Sequence, residues 1–243
     1  MSSLGTNLIQ VIKDKEFQAV TKDLTEVVID SNIAEGLLKD VPLLSTIIGT
    51  FNTVTNIKDK LFLKKILTFL YELKSISENK IEEQINKIEE DLKYRTKVGE
   101  KLLFIIDKCE DTDKASLTGL LFKSFLEKKI DYDQFITGTN IIEKTPLPDL
   151  MFFIENDVEE LELDNGGSEF VSYGLMEIRV TKPNIKVGDE KYYGDKYIPS
   201  DNEILADRLE ITDFEIVASI SWIGQILREN LCKNKRQRTT SVQ

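Results

Sequence analysis

Carboxylates are the most abundant reactive side chains in this chain, and histidine is absent altogether. Without an imidazole there is no Ser-His or Cys-His nucleophile, no His-based zinc site and no His proton shuttle. GxSxG, P-loop and GxGxxG patterns are also missing. The nearest approach to a magnesium-dependent nuclease is Pro148-Asp149 followed at a distance by Asp189-Glu190-Lys191. Such chemistry needs carboxylates converging from the ends of paired strands. Asp149 reads as a helix start and Lys191 as part of a polar loop, so a metal-dependent nuclease ranks as a second alternative. The acidic run Glu159-Glu160-Leu161-Glu162-Leu163-Asp164-Asn165-Gly166 has some character of a calcium loop. Counted from Glu160, however, the glycine position holds Asn165 and the closing glutamate position holds Val171. It reads as a solvated acidic linker. Tyr192, Tyr193 and Tyr197 alternate with Lys191 and Lys196, a composition suited to base stacking. Asp189, Glu190, Asp195 and Asp201 surround them and would repel phosphate, so packing on the core or on a protein is expected instead. Cys109 and Cys232 have no CxxC partner and read as packing thiols in a reducing compartment. No catalytic, cofactor-binding or metal-ligating set is expected, and the reading leans away from an enzyme.

The 243 residues are 41% hydrophobic and 31% charged, enough for an ordinary core under a soluble surface. Gly and Pro are scarce before about residue 145, which favours helix there. Helices are expected over 15–29, 32–38, Val41–Ile57, a nearly all-round apolar stretch to Leu73, a long charged helix Glu78–Lys108, Lys114–Leu126, Asp131–Glu143 and Asp149–Glu155. Asp111, Asp131 and the prolines at 146 and 148 mark their starts. Asn165-Gly166-Gly167 signals a turn. Leu175–Thr181 and Leu209–Ile211 read as strands, 183–206 as a polar irregular insertion, and Thr212 as the cap of a final helix to Leu231. Residues 1–157 should be almost wholly helical, with strands confined to 160–211. The fold class is mainly α: an N-terminal helical bundle (1–110), then a small α+β winged-helix-like region (111–231) and a basic tail (232–243). Met1–Lys13 lacks a basic start and a long apolar centre, so no secretory signal is expected.

Charge is uneven. Residues 131–215 hold 21 acidic and 7 basic residues, −14 of a total −11, which leaves +3 elsewhere. Specific binding of duplex nucleic acid is therefore not expected, although a winged-helix regulator stands as the first alternative. Two basic patches lie outside the acidic region: Lys58, Lys60, Lys64 and Lys65, and the tail Lys233, Lys235, Arg236 and Arg238. The first follows the longest uncharged run. In that run Leu44, Ile47, Ile48 and Phe51 oppose a Ser/Thr/Asn side. At a 1.5 Å rise, Val41–Ile57 would be about 25 Å long, short of the ~30 Å hydrocarbon core. It reads as a bundle helix that an opening of the bundle would present to lipid. Leu44, Ile47, Ile48, Phe51 and the four lysines of that first patch are thus the candidate membrane or partner contact.

Two resemblances follow. Ser172-Tyr173-Gly174-Leu175-Met176-Glu177-Ile178 resembles the helix-to-strand step of winged-helix domains. Leu209-Glu210-Ile211-Thr212-Asp213-Phe214 resembles their strand-to-helix return. The element Lys39-Asp40-Val41-Pro42 through Asp59-Lys60-Leu61-Phe62-Leu63-Lys64-Lys65, followed by a helical and winged region, resembles the abortive-infection alpha group of bacterial proteins. That resemblance implies phage defence and transfers no residue roles. The sequence thus supports a non-enzymatic defence or interaction protein acting through helical self-association, a protein partner or reversible membrane contact. It would be cytoplasmic, with peripheral contact at the inner face of the membrane.

Overall fold

The computed structural model describes residues 4–14, 57–90, 92–180, 184–187, 200, 202–203, 208–212 and 215–232. The helices expected at 15–29 and 32–38, most of Val41–Ile57, most of the 183–206 insertion and the tail from 233 lie outside them. The chain is mainly α, with a small antiparallel sheet toward its C-terminal part. It forms two compact units, one of Met1–Asn156 with Ile226–Gln243 and one of Asp157–Gln225.

Among the described residues the helices of the first unit are α1 (Leu4–Lys13), α2 (Ile57–Tyr71), α3 (Glu78–Glu90), α4 (Leu92–Lys108), α5 (Thr112–Leu126), α6 (Tyr132–Lys144) and α7 (Leu147–Glu155). The end of α9 (Trp222–Leu231) also belongs to it. The charged helical stretch expected over Glu78–Lys108 is helical over α3 and α4, and Asp91 between them lies outside the described residues.

Helix starts follow their caps. The Asp111 carboxylate accepts from the Lys114 N–H at 2.8 Å. Asp131 closes a capping box: its carboxylate accepts from the Gln134 N–H at 2.8 Å, and the Gln134 side chain accepts from the Asp131 N–H at 2.9 Å. Asp131→Ala is expected to lower the unfolding free energy by about 1 kcal/mol. The urea midpoint would read this, and an unchanged midpoint would show the box to be dispensable.

α5 is the central helix, buried along nearly its whole length. Its buried polar side chains are paired: Thr118 and Ser124 donate to the Lys114 and Leu120 carbonyls at 2.8 and 3.2 Å. Phe122 is fully buried, with ring centroids 5.5 Å from Phe69 and 5.3 Å from Phe135. Backbones approach closely at two crossings. A Cβ at Gly119 would lie 2.6 Å from the Phe69 carbonyl oxygen on α2, and one at Gly99 on α4 would collide with the Gly5 backbone on α1.

The second unit holds β1 (Glu160–Glu162), α8 (Ser168–Tyr173), β2 (Met176–Val180), β3 (Asn184–Val187), β4 (Leu209–Thr212), β5 (Ile216–Ile220) and the start of α9. β1, β5 and β2 form a sheet in that order, and β3 pairs with β4, all antiparallel. The turn at Asn165-Gly166-Gly167 is present, with Gly166 at φ 89°. Gly174, at φ 88°, ends α8 in the left-handed conformation that glycine favours.

Three expectations need correction. First, the final helix does not start at Thr212: β5 intervenes, because Ile216-Val217-Ala218-Ser219-Ile220 is rich in β-branched residues that fit a central strand. Strands therefore extend past residue 211. Ser221 caps α9 instead, its Oγ accepting from the Gly224 N–H at 3.0 Å. Second, the 183–206 insertion is not wholly irregular, since Asn184–Val187 is a strand. Third, the acidic run is not simply a linker, since Glu160–Glu162 pairs with β5. Leu161 stands opposite Ala218 between two glutamates, the alternation of an edge strand with one face on a core.

The β2–β5 and β3–β4 ladders keep one register. Val180 pairs with Ile216, and Asn184 pairs with Thr212, an equal step along both strands.

Candidate functional site

The lysine patch lies on α2, and the structure divides it. α2 buries Leu63, Ile66, Leu67, Phe69 and Leu70 in the bundle. Its first turns carry Ile57, 76% exposed, and Leu61, 55% exposed. At i and i+4 these two occupy neighbouring positions on one side of the helix. Lys58 and Lys60 beside them are exposed. Lys64 and Lys65 are half-buried. The Lys65 ammonium donates to the carbonyls of Asp107 at 2.7 Å and Cys109 at 2.8 Å, satisfying acceptors at and just beyond the end of α4. Lys65 is thus a bundle-holding residue rather than part of a free cationic surface. Leu44, Ile47, Ile48 and Phe51 lie outside the described residues.

Sequence reasoning missed a second exposed apolar feature on the first unit. Phe104 is 51% exposed, with the Lys108 and Lys101 ammonium groups 4.9 and 5.3 Å from its ring centroid. It sits inside the apolar string Leu102–Ile106, where the 3.6-residue period turns one large side chain outward. That mismatch was the available signal.

A cavity of about 370 Å³ opens between the start of α5, α7 and the end of α9. Leu117, Leu147, Met151, Ile154 and Leu231 supply apolar walls, and Asp113, Ser116, Glu155 and Cys232 the polar ones. Ser116 Oγ is committed to Glu72 Oε1 at 2.5 Å. Cys109 is also buried, and desolvation pushes its thiol above the usual range. Its Sγ donates to the Ile105 carbonyl at 3.4 Å. This is a packing thiol, as its surroundings in the sequence suggested.

Among the described residues no group of three or more Asp, Glu or Cys side chains gathers as a metal site. Asp149 lies in the first turn of α7, while Asp189, Glu190, Lys191 and the Tyr192, Tyr193 and Tyr197 cluster lie outside the described residues. Among the described residues, too, no helix is long and apolar enough to cross a membrane.

Unit two carries its own exposed apolar residues. Ile178 and Val180 on β2 and Ile216 on β5 are 59, 57 and 48% exposed. Register puts all three on one face, since Val180 stands opposite Ile216 and Ile178 lies two residues along β2. On the opposite face Arg179 forms an ion pair with Glu160 of β1. Comparison with protein families, curated proteins and solved structures gave no match to the chain.

Proposed function

We propose that this chain is a non-enzymatic interaction protein that makes reversible contact with an anionic membrane surface through the first turns of α2. One observation carries the reading: Ile57 and Leu61 stand exposed beside the exposed lysines at 58 and 60. Aliphatic side chains enter the headgroup boundary while ammonium groups stay with the phosphates. Each lysine contributes about 1 kcal/mol near an anionic surface. Each aliphatic adds up to about 1.5–3 kcal/mol if fully buried. The sum is that of a weak peripheral contact, made and released without unfolding. The resemblance to abortive-infection alpha proteins supports a role in bacterial phage defence at the inner face of the membrane.

Vesicle co-sedimentation of the full chain tests this. The wild type should pellet with phosphatidylserine-containing vesicles and not with phosphatidylcholine alone. Lys58→Glu with Lys60→Glu should reduce the bound fraction about tenfold or more, from the lysine contribution near the surface. A parallel variant with Lys233, Lys235, Arg236 and Arg238 changed to glutamine separates the tail from α2. Binding that is indifferent to lipid charge, or unchanged by the α2 reversal, would refute the proposal.

A further inference from the structure

The second unit carries an independent interaction surface, and its chemistry selects the occupant. Among the described residues β2 is an edge of the three-stranded sheet, bonded to β5 on one side. The Ser221 N–H donates to the Leu175 carbonyl at 3.1 Å. In an antiparallel ladder the bonded positions alternate, so Leu175, Glu177 and Arg179 face β5. The N–H and C=O groups of Met176, Ile178 and Val180 turn the other way. Met176 is buried, so the open stretch runs from Glu177 to Val180. An open edge that also carries exposed Ile178 and Val180 is a template for another strand.

We infer that this edge pairs with β2 of a second copy of the chain, antiparallel about a two-fold axis through Ile178. The sequence Met176-Glu177-Ile178-Arg179-Val180 is self-complementary in that arrangement. Ile178 meets Ile178 of the second copy and exchanges a pair of backbone hydrogen bonds with it, because its polar backbone groups already point outward. Glu177 falls opposite Arg179 of the second copy, and the symmetry repeats the pair on the other side. These charged pairs occupy the non-hydrogen-bonded positions, where side chains of facing strands approach most closely. Arg179 already holds Glu160, and its five N–H donors allow it to serve a second carboxylate as well. On the opposite face, Ile178, Val180 and Ile216 of each copy join into one apolar strip across the axis. A parallel pairing in matched register would instead set Glu177 against Glu177 and Arg179 against Arg179. The charges thus select both the antiparallel direction and a like partner.

Sedimentation of the full chain over a concentration series tests the pairing. The wild type should self-associate reversibly. Arg179→Glu places like charges at both cross-strand positions and should weaken association at least about tenfold. Adding Glu177→Arg to it restores opposite charges and should restore association, which a merely misfolded strand would not do. Ile178→Cys on the axis should form an intermolecular disulfide on mild oxidation, because directly facing strand positions lie within disulfide reach. Leu61→Cys on α2, equally exposed to oxidant, should not. A wild type that is monomeric at every concentration, or a charge swap that fails to rescue, overturns the inference and leaves the edge to an extended segment of a different protein.

Discussion

Phe122→Ala should remove about 3–5 kcal/mol of stability. The phenyl ring is fully buried on the central helix and lies among Phe69, Phe125 and Phe135, with centroids 5.3–5.7 Å away. Three helices, α2, α5 and α6, meet at this ring. Truncation loses the transfer free energy of the ring and leaves a hole that rigid neighbours on three elements cannot all collapse to fill. Domains are stable by only about 5–15 kcal/mol in total, so the loss is a large fraction. Urea unfolding followed by circular dichroism reads it directly. Phe104→Ala is the internal control. That ring is half-exposed and should cost under about 0.5 kcal/mol, in keeping with surface substitutions. Equal effects at the two positions would show that the aromatic cluster is not the centre of the core.

Gly99→Val should be as damaging or worse, by a different route. A Cβ on Gly99 would collide with the carbonyl group of Gly5 and lie 2.8 Å from its Cα. The obstacle is backbone, which cannot swing aside as a side chain would, so α1 must lift from α4. Leu8, Ile9, Val11 and Ile12, all buried on α1, then lose part of their shelter, at up to about 1.5–3 kcal/mol each if fully exposed. Gly5→Val creates the same obstruction from the other side. Since both act on one contact, the double variant should cost far less than the two losses added together. Limited proteolysis near residue 14, with unfolding midpoints for both single variants and the double, checks this. A Gly99→Val protein with the wild-type midpoint would show that the two helices do not meet there.

The local features of this fold were legible because they are written in adjacent residues. Asp111 and Asp131 announce helix starts through hydrogen bonds that span three positions. Gly174 announces a helix end through one residue's freedom at positive φ. β5 was hidden because Thr212-Asp213 imitates a helix cap and because its partners lie far upstream, Met176 opposite Ile220 and Glu160 opposite Ser219. No short window contains that pairing. The candidate site was legible by half. The sequence set Lys58 and Lys60 between two apolar helices, whereas all four lysines lie on α2, and periodicity cannot tell that Lys58 and Lys60 meet solvent while Lys65 reaches carbonyls 42 and 44 residues further on. The open edge of β2 was invisible for the same reason, since edge or centre is a property of the sheet and not of the strand.

The Lys65 hydrogen bonds have a consequence for the surface one and two turns earlier on the same side of its helix. Interdigitated core side chains already resist the turning of a helix about its own axis. Two short, aimed bonds from one ammonium group add a directional restraint to that packing, as a key in a slot. Rotating α2 far enough to tuck Ile57 and Leu61 inward would draw Lys65 away from both acceptors at once. The angular setting of α2, and with it the side chains that its first turns present outward, is therefore held from the end of α4 as well as from the core.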